Sequence, residues 1–329
     1  MNMDRSIAVI IPCFQEELTV GKVIRDFRRE LPGARIIVYD NNSTDRTAEV
    51  AREAGAEVRR EHRQGKGWVV AKMFCEVDAD VLVMVDGDDT YDAGSVHRLL
   101  APVLAREADM TVASRLVKHS GGAFRNLHVS GNRWVCRIVN WMFPSRITDI
   151  FSGYRAFSRE AAANIPITAH GFDVETELTL QALYRGFVVR EIEAPYGERP
   201  AGSFSKLRTY ADGSLVLLRL FLMLKSYKPL TFFGSGGLVL FAFALIAGSR
   251  PIYEYATERF VHAVPLAILA AGLVTLSFGS IALGLLLNSV NLRLLELEAL
   301  VRTRGMTQAT NSRLQGTREH PPEHHELRQ

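Results

Sequence analysis

The chain has 329 residues, 47% of them hydrophobic, enough for a full α/β domain with residues to spare. Its net charge is only +3, so no global field argues for a nucleic-acid partner. Cys13, Cys75 and Cys136 are odd in number and lack CxxC spacing, which excludes a disulfide framework or zinc site and reads as buried thiols in a reducing compartment. No signal peptide is expected, because the apolar run Ile7–Ile11 is short and meets Pro12 and then Glu16-Glu17.

In chain order, Ile7–Ile11 reads as a strand, followed by the loop Pro12-Cys13-Phe14-Gln15-Glu16-Glu17. Val20, Val23, Ile24, Phe27 and Leu31 have helical spacing, and Pro32-Gly33 stops that helix. Ala34–Tyr39 is a second strand running into Asp40-Asn41-Asn42-Ser43-Thr44-Asp45, with Asp45 placed to cap the helix Thr47–Ala54. Val58 marks a short third strand, and Gly65-Lys66-Gly67 opens a helix through Cys75. Further on, Met110–Ser114 reads as a strand and Phe172 opens a helix through Tyr184. This alternation implies a mostly parallel, layered α/β sheet. No G-x-G-x-x-G follows a strand and no Walker lysine motif occurs, so dinucleotide oxidoreductases and P-loop NTPases lose support.

The stretch Val81–Asp92, VLVMVDGDDTYD, stands out. Its apolar run suits a strand buried on both faces, and four aspartates cluster where the strand ends. Carboxyl ends of parallel strands are where open α/β sheets bind ligands. Asp86 and Asp88, two apart, point to one side of an extended chain, and Gly87 lets the backbone approach a ligand. Two hard carboxylates without soft donors suit Mg²⁺ or Mn²⁺ shared with a diphosphate. The plainer alternative is an acidic turn capping the next helix through Asp92.

Composition changes after Lys228. Pro229–Ser249 and Ala263–Leu292 contain no charged residue, and each is long enough to cross a hydrocarbon core of ~30 Å. Arg250–His262 reads as a short connecting loop. Lys206, Arg208, Arg219, Lys225 and Lys228 precede the first span, and Arg293, Arg302 and Arg304 follow the second. The positive-inside rule then places the large N-terminal domain and the C-terminus in the cytoplasm, with the chain multi-pass in the inner membrane. The domains expected are 1–210 catalytic, 211–228 an interfacial amphipathic helix (Leu215–Leu224 being almost wholly apolar), 229–292 two spans, and 293–329 a cytoplasmic helix and tail. Residues 306–329 read as a disordered tail. The spans also offer a surface for homo-oligomer formation.

Six stretches in order carry a resemblance. These are Ile10–Glu17, Val38–Asp45, Asp86-Gly87-Asp88, Ser114-Arg115, Asp149-x-x-Ser152-Gly153-Tyr154-Arg155, and Arg199-Pro200-x-Gly202-Ser203-x-Ser205-Lys206-Leu207. Together they resemble family-2 inverting glycosyltransferases of GT-A fold, within them the dolichyl-phosphate mannose synthase and bacterial polyprenyl-phosphate glucosyltransferase branch. Phe14 and Gln15 stand where Tyr-Asn is usual, and Asn41 where a second aspartate is frequent. These positions touch the nucleobase in the family, which leaves UDP and GDP donors both open.

The resemblance implies a hexosyltransferase moving a sugar from a nucleotide sugar to a polyprenyl phosphate at the membrane, with UDP-glucose preferred and GDP-mannose the other donor. It assigns Pro12, Phe14, Glu16, Asp40, Asn42, Lys66, Asp86, Gly87 and Asp88 to the nucleotide sugar, and Asp86 and Asp88 to Mg²⁺ or Mn²⁺. A solvated lysine is the alternative reading of Lys66. The acceptor phosphate would meet Arg115, Arg125, Arg199, Ser203, Ser205 and Lys206, while Arg208, Arg219 and Lys225 would face lipid headgroups. Asp88, Arg115, Asp149, Arg199 and Lys206 form the expected catalytic set, with Asp149 orienting Arg155 or the acceptor side of the pocket. A lipid monophosphate needs no strong base. Were the acceptor instead a sugar hydroxyl, Asp173 or Glu175 would be the base, or else simply first-turn acids favoured by the helix dipole. A non-catalytic sugar-nucleotide binder would need a degraded Asp-x-Asp, and this one is intact.

Overall fold

A computed structural model of the chain describes residues 5–115, 123–168, 171, 174–200 and 221–316, without the side chains of 123–130, 298–299 and 301–316. It forms two units, Met1–Leu222 and Met223–Gln329. The division falls inside the segment expected as an interfacial helix, of which 221–227 is described and helical.

The first unit is a seven-stranded sheet of order β3-β2-β1-β4-β6-β5-β7. Strands β1 (Ile7–Cys13), β2 (Arg35–Asp40), β3 (Glu57–Arg60) and β4 (Val81–Met84) run parallel. Strand β6 (Arg155–Ser158) is antiparallel to both β4 and β5 (Met110–Ser114), and β7 (Val189–Glu193) pairs parallel with β5. The sheet is therefore mixed but mostly parallel, as expected.

Side chains alternate between two apolar layers. Ala8 and Ile10 of β1 face one layer with Val69, Val70 and Met73 of α3 (Lys66–Glu76) and Leu178 and Ala182 of α7 (Val174–Tyr184). Val9 and Ile11 face the other, with Val23, Ile24 and Phe27 of α1 (Val20–Glu30), Ala51 of α2 (Thr47–Glu53), and Leu99 and Val103 of α4 (Val96–Leu104). Helices thus cover both faces, which is why β1 and β4 read as near-continuous apolar runs. Helix α5 (Ala123–Met142) and α6 (Arg159–Asn164) complete the unit. The chain builds outward from β1 to β3, then returns to β4 on the other side of β1. That reversal opens a cleft at the carboxyl ends of β1 and β4.

Cys13 and Cys136 are buried as expected, but Cys75 is exposed. It lies two residues past the inward Met73, and a helix turns about 100° per residue, so it falls on the outer side of α3.

The second unit is a pair of long apolar helices, α8 (Pro229–Glu258) and α9 (Val264–Gly316). Their apolar stretches, Pro229–Glu258 and Val264–Leu297, have mean hydropathy 2.1 and 2.2 with only 11% and 6% buried, long and apolar enough to cross a membrane and not shielded as core helices are. Close approach is made by small residues. Ser277 Oγ donates to the Gly237 carbonyl at 2.8 Å, and Ser280 Oγ to that of Phe233 at 2.8 Å. The connection is shorter than Arg250–His262, because α8 continues to Glu258 and ends at Arg259 in left-handed conformation, φ 55°. Glu254 explains this: it pairs with Arg250 one turn back and accepts the backbone N–H of His262 and Ala263, each at 2.9 Å. Likewise α9 passes residue 306, where a disordered tail was expected, and stays helical to Gly316. Extending an existing helix costs far less than nucleating one, and no proline interrupts this stretch.

Candidate active site

The acidic turn after β4 organises the cleft. Gly87 presses so closely on β1 that a Cβ there would lie 2.6 Å from Cys13 Sγ. Its carbonyl accepts the Thr19 hydroxyl at 2.6 Å, tying the turn to the start of α1. Only glycine fits, and the flanking aspartates diverge from it. Asp88 is buried and accepts Thr90 Oγ1 at 2.5 Å, while its other oxygen takes Arg199 Nη2 at 2.6 Å. Asp89, with φ 56°, turns away to Lys22 on α1 at 2.7 Å. Asp92 caps the next turn, accepting the Gly94 N–H, so the capping alternative holds for Asp92 alone.

Asp86 accepts Lys66 Nζ at 2.5 Å, and the same ammonium lies 2.5 Å from Glu175 Oε1. Lys66 is therefore neither solvated nor extended toward open water. Burial would pull its pKa down, but Asp86 and Glu175 outweigh that and hold it above the usual lysine range. Removing a buried partner of this kind leaves uncompensated charge, at a cost of about 3–5 kcal/mol. Burial, then the charge of Asp86, push the Asp88 carboxyl up, against the hydrogen bond from Thr90 and the charges of Arg199 and Lys66. Such a pair of carboxylates is disposed to accept cations. Gly153 also faces this turn, where a Cβ would collide with the Asp86 carboxylate.

The other residues expected to meet the nucleotide sugar lie at the ends of β1 and β2 and in the loops that follow. Glu16 is buried; its N–H donates to Thr47 Oγ1 at 2.8 Å, and its carboxylate accepts Thr19 Oγ1 at 3.3 Å. Asp40 is buried at the end of β2 and accepts the Ser43 N–H at 3.2 Å. Pro12 and Phe14 are half-buried, at the end of β1 and in the loop that follows. Asn42, φ 62°, donates to the His62 carbonyl at 2.7 Å. The departure at Asn41 has a physical reason. Its Nδ2 donates to the carbonyls of Glu61 and Arg63 at 3.0 and 2.8 Å, and its Oδ1 accepts the Gly65 N–H at 2.8 Å. A carboxylate could not make those two donations. Asn41 thereby latches the loop that delivers Lys66.

Arg115, expected to meet the acceptor phosphate, follows β5 at the same sheet edge as Asp88. Asp149 grips it in a fork, Nε to Oδ2 at 2.7 Å and Nη2 to Oδ1 at 2.8 Å, and also accepts its backbone N–H at 3.1 Å. Burial would raise the Asp149 pKa; Arg115 overrides it and holds the carboxyl below the usual range. The Arg115 guanidinium also lies over the Tyr196 ring, 5.4 Å from its centre.

Asp149 was expected to orient either Arg155 or the acceptor side of the pocket, and among the described residues it makes no hydrogen bond to Arg155. Arg155 is fully buried and binds the carbonyls of Ser152, Ile150 and Glu175 and the Thr179 hydroxyl, at 2.8–2.9 Å. Burial lowers its pKa to about 10. Its place on β6, which pairs back to Met84, points the side chain under the site rather than into it. Arg155 thus joins the loop bearing Asp149 to the helix bearing Glu175. Sequence reading also missed Tyr91, whose oxygen accepts the Gly153 N–H at 2.9 Å and whose ring meets Tyr196 at 5.1 Å. No spacing signal joins residues so far apart in the chain. Asp173, Ser203, Ser205 and Lys206 lie outside the described residues, as does the side chain of Arg125.

The fold is that of a GT-A-type glycosyltransferase, a mostly parallel sheet with an Asp-x-Asp turn at the end of β4. The chain belongs to glycosyl transferase family 2, whose model matches residues 8–165. It is 33% identical over 270 residues to glycosyltransferase AglJ of Haloferax volcanii, covering 82% of this chain and 88% of that one. It is also 30% identical to a dolichyl-phosphate hexose transferase of the same organism, over 64% of this chain and 90% of the relative. Among solved structures, glucosyl-3-phosphoglycerate synthase of Mycobacterium tuberculosis with Mn²⁺, UDP-glucose and phosphoglyceric acid superposes with TM-score 0.53 at 24% identity. That match covers 67% of this chain and 80% of the other and shows the shared fold.

Proposed function

We propose that the chain is a membrane-bound hexosyltransferase that moves a hexose, with inversion, from a nucleotide sugar to a polyprenyl phosphate. The observation that carries this reading is the Arg199–Asp88 contact at 2.6 Å. It sets a basic residue fit for an acceptor phosphate against the carboxylate fit for the donor's diphosphate. The dolichyl-phosphate hexose transferase relative and the two apolar helices support a lipid acceptor.

Asp40 suits a ring N–H of uracil or guanine, and UDP-glucose is the first donor we propose, GDP-mannose the second. Asp86 and Asp88 fit a Mg²⁺ or Mn²⁺ ion: both are hard oxygen donors, and each already holds a cationic head in place. Among the described residues no cluster of three or more His, Cys, Asp or Glu forms a metal site, so the diphosphate would complete the coordination. Such an ion, when bound, stabilises charge on the departing nucleoside diphosphate. Arg115, held by Asp149, and Arg199 orient the incoming phosphate, whose paired oxygens match a guanidinium fork. A phosphate oxygen forms the new bond to the anomeric carbon as the bond to the diphosphate breaks. A phosphate monoester is already anionic near neutral pH, so no strong base is required. Glu175, the described candidate base for a hydroxyl acceptor, is engaged by Lys66, which favours the phosphate reading. We place the N-terminal unit in the cytoplasm and α8 and α9 across the inner membrane, on the distribution of basic residues.

The test is turnover of a panel of sugar nucleotides by the solubilised full chain with undecaprenyl phosphate. One donor should yield a lipid-phosphate hexose of inverted configuration, and undecaprenol should yield none. Transfer to glycan hydroxyls alone, or donor hydrolysis alone, would contradict the proposal.

A further inference from the structure

Among the described side chains, the outer face of α5 contributes none to the cleft. Trp134 and Trp141 on it are 61% and 65% exposed. Seven residues apart, they lie on one side of the helix, beside exposed Arg133 and Arg137. The Arg137 guanidinium lies over the Trp134 ring, 5.5 Å from its centre. The opposite side buries Val135, Cys136, Val139 and Met142. From Ala123 to Thr148 there is no acidic residue, while Arg125, Arg133, Arg137 and Arg146 all fall there.

Two indoles exposed together are costly in water, and their apolar body with a polar N–H suits the level of lipid headgroups. Arginines interleaved with them, on a face without acids, complement anionic headgroup phosphates. We infer that α5 docks flat on the anionic bilayer surface through Trp134, Trp141, Arg133 and Arg137.

The inner side of the same helix holds the acceptor end of the cleft. Asn132 Nδ2 donates to the Thr148 carbonyl at 2.9 Å, and its Oδ1 accepts the Ile150 N–H at 3.3 Å. Asn140 brackets Ile147, donating to its carbonyl at 2.8 Å and accepting its N–H at 2.9 Å. These bonds fix the loop that carries Asp149, and Asp149 holds Arg115. One helix therefore links the bilayer surface to an arginine of the acceptor site and sets that arginine's depth. This inference rests on the proposed lipid acceptor and membrane spans.

The experiment uses the full chain in phosphatidylglycerol vesicles, with Trp68→Phe removing the third indole. Lipids brominated near the headgroup should quench Trp134 and Trp141 more than lipids brominated at mid-chain. A control variant with both indoles changed to Phe carries Phe243→Trp in α8 and should be quenched by mid-chain bromine. Quenching of the control without quenching of Trp134 and Trp141 overturns the docking of α5 alone. Loss of both overturns the spanning reading, and this inference with it. In parallel, Arg133→Gln with Arg137→Gln should raise KM for polyprenyl phosphate in anionic vesicles by roughly tenfold at unchanged kcat. KM for a short, water-soluble isoprenyl phosphate should not move. An equal rise for both acceptors would mark a structural defect and contradict the docking.

Discussion

The two halves of the cleft, which we propose take donor and acceptor, are built in different ways. The donor half hangs on three neighbouring parallel strands: Glu16 follows β1, Asp40 ends β2, and Asp86 and Asp88 follow β4. Each side chain is set by the buried strand before it. The acceptor half is assembled from distant pieces, with Arg115 after β5, Asp149 in the loop before β6, and Arg199 beyond β7. Its geometry depends on side-chain pairing, as in the Asp149 fork on Arg115. On the proposed assignment, a rigid sheet edge would present the nucleotide sugar, and a hydrogen-bonded framework braced by α5 and Arg155 would present the acceptor. Asp88 and Arg199 are where the two halves touch.

Changes at that contact should have the largest effect. Asp88→Asn keeps the size and the Thr90 bond but removes the charge proposed to hold a hard cation. Turnover should fall on the order of 10²–10³-fold, because stabilising the charge on a leaving group supplies much of the rate in such reactions. Arg199→Ala should affect the acceptor half selectively. Loss of a charge-assisted phosphate contact is worth about 1.5–3 kcal/mol, or roughly ten- to a hundredfold in transfer, with nucleotide-sugar binding largely retained. Steady-state kinetics with the lipid varied, beside donor isotherms, would check this. A collapse of donor affinity with unchanged lipid dependence would show the halves to be misassigned. A smaller effect probes the rigidity of the donor half. Gly87→Ala drives a methyl into Cys13 Sγ and should cost about 1–3 kcal/mol of stability, read as a lowered thermal midpoint. Cys13→Ala in the same chain should recover part of that loss, since contacting residues couple in a double-mutant cycle. Simple additivity would mean that the turn is not packed as described.

The same contrast explains what could be read from the sequence. The strands β1, β2 and β4 and the helices α1 to α3 announce themselves by apolar runs, helical spacing and turn residues, so Glu16, Asp40, Asp86 and Asp88 fall at the sheet edge where the pattern puts them. The Asp-x-Asp turn is legible for the same reason. The glycine-flanked turn that carries Lys66 was legible but the partners of Lys66 were not, because Glu175 lies 109 residues away. Asp149 and Arg155 share one motif, yet the strand geometry of β6 sends Arg155 beneath the sheet edge and leaves Asp149 to Arg115. Asn41 shows the reverse case: a departure from the usual aspartate that only the latch onto Glu61, Arg63 and Gly65 explains. The short connection between α8 and α9 depended on Glu254 folding back onto His262 and Ala263, a tertiary contact with no local signal.

The most direct test is calorimetric binding of the sugar nucleotide, with and without Mn²⁺, to Asp88→Asn and to Asp89→Asn. Asp89 is the control because it points away to the exposed Lys22, a surface pair worth about 1 kcal/mol or less. The Mn²⁺-dependent part of donor binding should vanish in Asp88→Asn and persist in Asp89→Asn. Near-normal metal-dependent binding in Asp88→Asn, or its loss in Asp89→Asn, would contradict the placement of the site.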